Sequence, residues 1–268
     1  MIGTTLASIG GGAGWFGLGA GASGAPAPGP AALRAGVLGG VEEEVLRFVA
    51  TSSPALSLDV AVFPTARAIR AALRASELAV GSFETALDLA NLAENPDAAL
   101  ASAGLSITLP LGLYSKALRS LSELVYGSRV LLPEEPAQQG RALLVLYHYG
   151  LIGFDEQLGP RARLGDVTAN ARGLELVPSS DDVRFQRARS HDLVALDYRS
   201  ATALGLAPAR NALAMEDGFS PFAQVVTVRD EDRRRRPAWL ERFLAAYRAP
   251  AVKQFILRRF EDSVRRAW

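Results

Sequence analysis

Leu33-Arg34-Ala35-Gly36-Val37-Leu38-Gly39-Gly40-Val41-Glu42-Glu43-Glu44 opens the patterned part of the chain. The apolar residues within 33–38 are typical of a short buried strand, and the glycine pair favours a turn. The three carboxylates that follow interact favourably with the dipole of a helix start. These twelve residues therefore predict a strand, a turn and a helix, which together form the repeating unit of an α/β fold.

The same alternation continues to the C-terminus. Further strands are predicted at residues 58–63, 78–80, 105–113, 128–132, 174–177, 193–196, 212–215 and 225–228. Helices are predicted at residues 67–74, 84–92, 121–124 and 136–149, with two amphipathic helices after Pro237 and around Phe255. This order favours a predominantly parallel α/β architecture, in which ligands bind beyond the carboxyl ends of the strands.

The composition narrows the classes of function. Of the 268 residues, 49% are hydrophobic and 21% charged, which indicates a soluble globular chain of one large domain or two small lobes. The 29 basic and 28 acidic residues leave a net charge of +1, so no overall field attracts nucleic acid or an anionic membrane. The absence of cysteine excludes disulfides, thiolate zinc sites and thiol nucleophiles.

The N-terminal part differs from the rest, because the first charged residue is Arg34 and Gly, Ala and Pro dominate before it. We expect residues 1–31 to be a signal-like or disordered tail. Its apolar run and the small residues Ala20-Gly21-Ala22 are typical of a secretory signal, whereas the missing basic residue near Met1 favours a disordered tail or a misassigned start. The segment 12–17 formally matches a dinucleotide-binding motif, but no strand precedes it, so we predict no cofactor.

Few residues suit catalysis or metal binding. His148 lies in an apolar helix and His191 in a polar turn, and neither pattern indicates a triad. No His, Asp or Glu cluster has the spacing of metal ligands, so we predict no metal. The basic run at residues 233–236 follows three acidic residues, which favours a partly self-neutralised loop over a nucleic-acid site.

Arg141 is the candidate binding residue that the pattern itself singles out. It lies in the opening turns of the helix predicted from Pro136, where the helix dipole disfavours a cation unless an anion joins it. A helix start and a guanidinium fork together suit a carboxylate, because backbone donors and a bidentate pair act on the same anion. The alternative is an arginine on a solvated helix face.

Several segments resemble those of one known family. They are Leu109-Pro110-Leu111-Gly112-Leu113-Tyr114-Ser115-Lys116, residues 118–124, 127–130, 136–144, 150–152, 204–208, 216–217 and 220–222, and the terminal Trp268. In order and spacing they are similar to the NlpA-type methionine-binding lipoproteins, which are receptors of ABC importers. The resemblance covers about residues 32–268.

The resemblance implies a two-lobed periplasmic-binding-protein fold of type II, with two hinge crossings and a ligand in the cleft between the lobes. The crossings are expected near Pro110 and Gly218. Lobe 1 then holds residues 32–109 and 219–268, and lobe 2 holds residues 110–218. Closure of the hinge around a bound solute is the expected motion.

The resemblance also assigns ligand-binding positions. Arg141 matches the arginine that grips the ligand carboxylate, and Phe83 matches the phenylalanine of the family's Phe-Gln-His-x-x-Tyr segment. This chain departs from the family at other ligand-binding positions. Thr85 and Asp88 replace the histidine and tyrosine of that segment, Ala66 replaces a pocket tyrosine, and Asp197 and Gln224 replace two asparagines.

These departures bear on the ligand. Losing aromatic residues removes contacts that suit a thioether, and the carboxylates of Asp88 and Asp197 favour a positively charged ligand or a neutralising partner for Arg141. We therefore expect a polar or cationic amino-acid-like solute with a free carboxylate. On this reading, Arg141→Ala abolishes binding and leaves the fold intact.

The resemblance implies a monomeric, non-enzymatic receptor whose partners are the solute, a permease and an ATPase, with no nucleic acid. It implies export to the periplasm or the outer face of the cytoplasmic membrane, although this chain has no cysteine for a lipid anchor. Two other functions stay open. One is an enzyme on the same fold with Asp88 and Asp197 as paired carboxylates, and the other is an interaction protein with a degenerate cleft.

Overall fold

The computed structural model describes residues 32–93, 99–180 and 183–268. The strands are β1 (Leu33–Val37), β2 (Leu58–Val62), β3 (Val80–Thr85), β4 (Leu100–Leu105), β5 (Ile107–Thr108), β6 (Gly112–Tyr114), β7 (Arg129–Pro133), β8 (Glu175–Ser179), β9 (Leu193–Leu196), β10 (Ala214–Met215), β11 (Gln224–Arg229) and β12 (Arg265–Arg266). The α-helices are α1 (Val41–Ser52), α2 (Ala66–Arg74), α3 (Ala86–Ala93), α4 (Pro136–His148), α5 (Arg184–Arg187), α6 (Tyr198–Ala203), α7 (Pro208–Asn211), α8 (Asp230–Arg235), α9 (Ala238–Tyr247) and α10 (Pro250–Phe260).

The first sheet has the strand order β2-β1-β3-β11-β4. Its strands β1, β2 and β3 are parallel, whereas β11 is antiparallel to both of its neighbours. Helices α1, α9 and α10 bury their apolar faces against this sheet, with Leu46, Phe243 and Ile256 in the shared core. Burial of these large side chains stabilises the layer by about 1.5–3 kcal/mol for each residue.

The second sheet has the order β10-β6-β9-β7-β8. Strand β7 is parallel to β8 and β9, and β6 is antiparallel to β9 and β10. Helix α4 packs on this sheet through a nearly continuous apolar run that includes Leu143 and Leu146. Gly140 allows α4 to approach its neighbour, because a Cβ there would collide with the carbonyl oxygen of Pro160.

The chain passes between the two sheets twice. It leaves the first sheet after Leu105, passes through β5, which pairs with β12 in a separate two-stranded sheet, and returns to the first sheet at Gln224. The two crossing segments contact each other, since Thr108 Oγ1 donates to the carbonyl oxygen of Gly218 at 2.6 Å. We call the part built on the first sheet lobe 1 and the part built on the second lobe 2.

The two-lobed α/β fold predicted from the resemblance is confirmed, and most predicted strands and helices lie within a few residues of their observed positions. The expectation of predominantly parallel sheets is wrong. Antiparallel neighbours enter each sheet beside the crossings, at β11 and β6. Strand β4 escaped prediction because its sequence, Leu-Ala-Ser-Ala-Gly-Leu, has none of the β-branched or aromatic residues that mark strands. The predicted tail at residues 1–31 lies outside the described residues.

Candidate functional site

A cleft of about 190 Å³ lies where the two lobes meet. Its walls come from the ends of β3 and β9, from the first turns of α4 and α6, and from both crossings, which is the edge where open α/β sheets bind ligands. The lining residues are Thr85, Leu109, Gln138, Arg141, Asp197, Tyr198, Arg199, Phe222 and Gln224. Four of the seven predicted site residues are therefore brought together here, namely Thr85, Arg141, Asp197 and Gln224.

Arg141 is held from three sides. Its Nε donates to Glu216 Oε2 at 2.9 Å, and its Nη2 donates to the same carboxylate and to the carbonyl oxygen of Leu109 at 2.7 Å. The guanidinium lies 4.8 Å from the centre of the Phe222 ring, and only 7% of the residue is exposed. Within the described ranges Nη1 makes no hydrogen bond, so this nitrogen is the donor that Arg141 offers to the cleft.

Glu216 is the anion that neutralises Arg141. Besides the arginine, its carboxylate accepts from the backbone N–H of Leu111 at 3.1 Å and from Ser220 Oγ at 2.6 Å. Leu111 lies in one crossing and Ser220 in the other, so Glu216 ties Arg141 to both. A buried carboxylate with four donors is well satisfied, and it fixes the guanidinium before any ligand arrives.

The start of α4 does not offer the backbone donors that the sequence pattern suggested. Glu135 occupies them, because its side chain accepts from the N–H groups of Ala137 at 2.9 Å and Gln138 at 2.8 Å. This capping satisfies two of the groups that a helix N-terminus leaves free. The sequence predicted a carboxylate site that combines backbone donors of the helix start with an arginine. Of these two components, the arginine remains available.

Thr85 and Asp88 form a capping box at the start of α3. Thr85 Oγ1 accepts from the N–H of Asp88 at 3.1 Å, and the Asp88 carboxylate accepts from Thr85 Oγ1 at 2.8 Å and from its N–H at 3.3 Å. The pattern Thr-x-x-Asp before an apolar run is the sequence signal for this arrangement. Asp88 is exposed and satisfied locally, and it is absent from the cleft lining.

Asp197 lines the cleft and also caps a helix. Its Oδ1 accepts from the N–H of Ser200 at 2.9 Å, and its Oδ2 accepts from Ser200 Oγ at 2.7 Å. Burial, followed by the negative charge of Asp197, raises the pKa of the Tyr114 phenol behind it. Asp88 and Asp197 thus each serve their own helix start, which gives no support to a catalytic pair.

Two amide oxygens in the cleft wall lack partners. Gln138 Oε1 and Gln224 Oε1 are buried, and neither accepts a hydrogen bond within the part of the chain that the structure describes. Leaving a buried acceptor unpaired costs about 1–3 kcal/mol. Both residues line the cleft together with Arg141, and a ligand whose N–H groups reached these oxygens would recover this energy.

The model of one protein family, NlpA lipoprotein, matches residues 33–268. The chain belongs to this family. The D-methionine-binding lipoprotein MetQ of Yersinia pestis is 28% identical over 245 residues, which is 89% of either protein, and MetQ of Escherichia coli K12 is 26% identical over 250 residues with the same coverage. Both relatives are methionine-binding lipoproteins by name.

Solved structures agree with this assignment. A nutrient-binding protein of Burkholderia cenocepacia bound to methionine superposes with a TM-score of 0.69 and 27% identity, over 88% of this chain and 100% of that one. A periplasmic substrate-binding protein of an ABC transporter from Coxiella burnetii has the same TM-score, 26% identity and the same coverage. This chain therefore has the fold of these substrate-binding proteins.

Phe83 and Ala66 pack into an apolar cluster of lobe 1 instead of lining the cleft. Beside them, Glu84 accepts from Arg70 Nε at 2.9 Å and from Thr227 Oγ1 at 2.7 Å. Burial raises the pKa of Glu84, and the hydrogen bonds from Thr227 and Arg70 oppose this effect. The NlpA resemblance predicts aromatic rings around the ligand. At the corresponding positions this chain presents the polar Thr85 to the cleft, and Phe83 is packed in the core of lobe 1.

Sequence reasoning missed several cleft residues. Gln138 precedes Arg141 by three positions, so both lie on one helix face, and this spacing alone points to it. Glu216 was part of the NlpA resemblance, but its pairing with Arg141 spans 75 positions and leaves no local pattern. Tyr198 and Arg199 carry no signal in the sequence.

Other structural features add no second candidate site. Among the described residues, no group of His, Asp and Glu is placed to hold a metal ion. No described helix has the length and apolar character needed to cross a membrane. Larger cavities of about 510 and 500 Å³ lie beside α8 and beside Tyr149, and neither is lined by a residue to which the NlpA resemblance assigns a ligand contact.

Proposed function

We propose that this protein is the solute-binding receptor of an ABC importer and holds an amino-acid-like ligand in the cleft between its lobes. One observation carries the proposal. Arg141, with a guanidinium nitrogen that makes no hydrogen bond among the described residues, lines one cleft with Gln138 and Gln224, whose Oε1 atoms lack partners there. A carboxylate suits the first group and an ammonium suits the second, and an amino acid carries both on one carbon. The proposal is of a binding protein and not of an enzyme.

The ligand that we propose is a small polar amino acid with a free carboxylate. The structural neighbour from Burkholderia cenocepacia holds methionine, but the thioether side of such a site is replaced here by Thr85 and its capping box. A ligand with a cationic side chain is less favoured than the sequence alone suggested. Of the two predicted carboxylates, Asp88 is hydrogen-bonded at the start of α3, and Asp197 is the one that lines the cleft. A cleft of about 190 Å³ also favours a small side chain.

We further propose that residues 32–109 with 219–268 and residues 110–218 move as two bodies about the crossings, in a monomer that is exported and delivers its solute to a permease and an ATPase. The names of the relatives, which are lipoproteins and periplasmic substrate-binding proteins, support export. Nucleic acid is not a proposed partner.

A thermal-shift screen tests the proposal. The purified chain is mixed with each proteinogenic L-amino acid and with D-methionine, at millimolar concentration. A ligand present at about 100 times its Kd adds about 2.7 kcal/mol to the free energy of unfolding, which raises the melting midpoint. We expect a small polar amino acid to raise it more than either enantiomer of methionine. A panel with no shift would contradict the receptor proposal, and a largest shift with methionine would contradict the proposed ligand.

A further inference from the structure

Two ion pairs between the lobes are seen among the described residues, Arg210 with Glu261 at 3.6 Å and Arg199 with Glu42, and the second of these lies at the cleft. Arg199, in the first turn of α6 in lobe 2, donates from Nη2 to Glu42 Oε1 at 2.8 Å. Glu42 lies in the first turn of α1 in lobe 1, and its side chain has no exposed surface, whereas that of Arg199 is 55% exposed. The Glu42 carboxylate is therefore a buried part of lobe 1, and the half-exposed side chain of Arg199 extends from lobe 2 to contact it.

The same carboxylate oxygen orients a residue of the cleft wall. Gln224 Nε2 donates to Glu42 Oε1 at 2.8 Å, so Glu42 accepts from Gln224 and Arg199 on one atom. With its amide nitrogen bonded to Glu42, Gln224 keeps its Oε1 as an unpartnered acceptor in the cleft wall, as far as the described residues go. The ion pair between the lobes and the orientation of Gln224, an acceptor of the proposed ammonium site, thus depend on the same oxygen, Glu42 Oε1.

A neighbouring residue shows that this corner is a packed contact. Tyr198 precedes Arg199 in α6 and packs against the apolar core of lobe 1. Burial raises the pKa of the Tyr198 phenol, and the charge of Glu44 on α1 adds to the effect. The first turn of α6 is therefore held against the first turn of α1 by an ion pair and by an aromatic contact.

We propose that Arg199 is a positioning residue that holds the cleft closed and, through Glu42, holds Gln224 in the orientation that accepts from a ligand. This inference rests on the proposed function. Opening the cleft separates Arg199 from Glu42 and leaves the buried carboxylate with Gln224 as its remaining donor. Since this separation gives up a charge-assisted hydrogen bond, the pair favours the closed arrangement even without a ligand. Closure of the lobes and recognition of the ligand are coupled, because Arg199 and Gln224 donate to the same oxygen of Glu42 and the Arg199 contact forms only in the closed arrangement.

The first test measures closure without any ligand. The chain contains no cysteine, so the exposed residues Ala71 in lobe 1 and Ala171 in lobe 2 can be changed to cysteine and spin-labelled without competing thiols. Double electron–electron resonance then gives the distance distribution between the lobes. We expect Arg199→Ala to add a distance population that the parent lacks, and Arg199→Lys to restore much of the parent distribution.

A matched control separates this effect from the loss of any surface arginine. Arg34 pairs with Asp59 at 3.2 Å inside lobe 1, with about the same exposure as Arg199. Arg34→Ala should leave the distribution unchanged, and Glu42→Gln should reproduce the effect of Arg199→Ala without adding to it in the double variant. Identical distributions for the parent, Arg34→Ala and Arg199→Ala would overturn the proposal.

The second test joins closure to recognition. In the amino-acid panel, Arg199→Ala should weaken binding of the stabilising amino acid about tenfold, with the change mainly in the dissociation rate, while Arg34→Ala stays within twofold of the parent. A tenfold change confined to the association rate, or no change, would contradict a role in closure. If no amino acid binds the parent, the proposed function fails, and the spin-label distances still decide whether Arg199 holds the lobes together.

Discussion

The two sides of the cleft are built in different ways. On the side of Arg141, the guanidinium is fixed by Glu216, Leu109 and Phe222, which lie 75, 32 and 81 positions away in the chain. On the side of Thr85, the hydrogen bonds of the capping box span three positions. The first side depends on both crossings and on the whole fold, whereas the second is a local helix start.

This difference separates two properties of a receptor. The side of Arg141 presents a charge whose position is set by long-range contacts, and in the function that we propose this charge binds the ligand carboxylate. In the same proposal the side of Thr85 faces the remainder of the ligand, so residue changes there are expected to alter which side chain is accepted and to leave the fixed arginine in place. A shift of specificity away from methionine therefore needs changes on one side only.

The largest expected effect follows from Arg141→Ala. It removes the donor to the ligand carboxylate and also leaves Glu216 buried without its cation, which costs about 3–5 kcal/mol in the free energy of unfolding. The sequence-based expectation of an intact fold is therefore revised to a folded but much less stable protein that binds no amino acid. Urea unfolding and calorimetry measure the two losses.

Arg141→Lys provides the control for this change. It keeps a charge near Glu216 and should recover part of the stability, but a lysine cannot make the two-nitrogen contact with Glu216 and still point a fixed donor at the cleft. Full stability together with normal affinity in Arg141→Ala would contradict the assignment of the carboxylate site.

A smaller effect is expected when the other side is rebuilt. Replacing Ala66 by Tyr, Thr85 by His and Asp88 by Tyr restores the aromatic residues of the family pattern. Each sulfur–ring contact contributes roughly 0.3–1.5 kcal/mol, so the triple variant should bind D- or L-methionine about tenfold more tightly than the parent does. Isothermal calorimetry measures this ratio. A variant that gains nothing for methionine would show that the lining residues Tyr198 and Arg199, and not the missing rings, restrict the cleft.

Asp88→Ala tests whether the Asp88 carboxylate stabilises the start of α3 or binds the ligand. The change removes one half of the capping box and should cost about 1 kcal/mol of stability, while the affinity for the stabilising amino acid stays within twofold. Asp197→Ala is the companion variant, because Asp197 caps α6 and also lines the cleft. Loss of affinity in Asp88→Ala would show that Asp88 contacts the ligand, contrary to its position outside the cleft lining.

Local patterns in the sequence predicted much of the fold, and the resemblance predicted part of the cleft. Strand β9 lies where predicted, at Leu193–Leu196, and helix α4 begins at Pro136 as predicted. The pairing of Arg141 with Glu216 and that of Arg199 with Glu42 could not be predicted, because their partners lie 75 and 157 positions apart and meet only through the arrangement of both sheets. The capping box of Thr85 and Asp88 was visible in the sequence, but its residues were assigned to the ligand.

The smallest expected effect concerns pH and lies on the side of Thr85. Burial holds the pKa of Glu84 above its ordinary value of 4.5, so the folded chain binds this proton more tightly than the unfolded chain does. The resulting stabilisation is fully present below about pH 4.5 and is lost as the pH rises through the pKa of folded Glu84. Glu84→Gln should remove this component and flatten the dependence of unfolding free energy on pH. The exposed Glu77→Gln serves as the control in urea unfolding between pH 4 and 7. Parallel curves for the parent and Glu84→Gln would show that Arg70 and Thr227 offset the burial of the carboxylate completely.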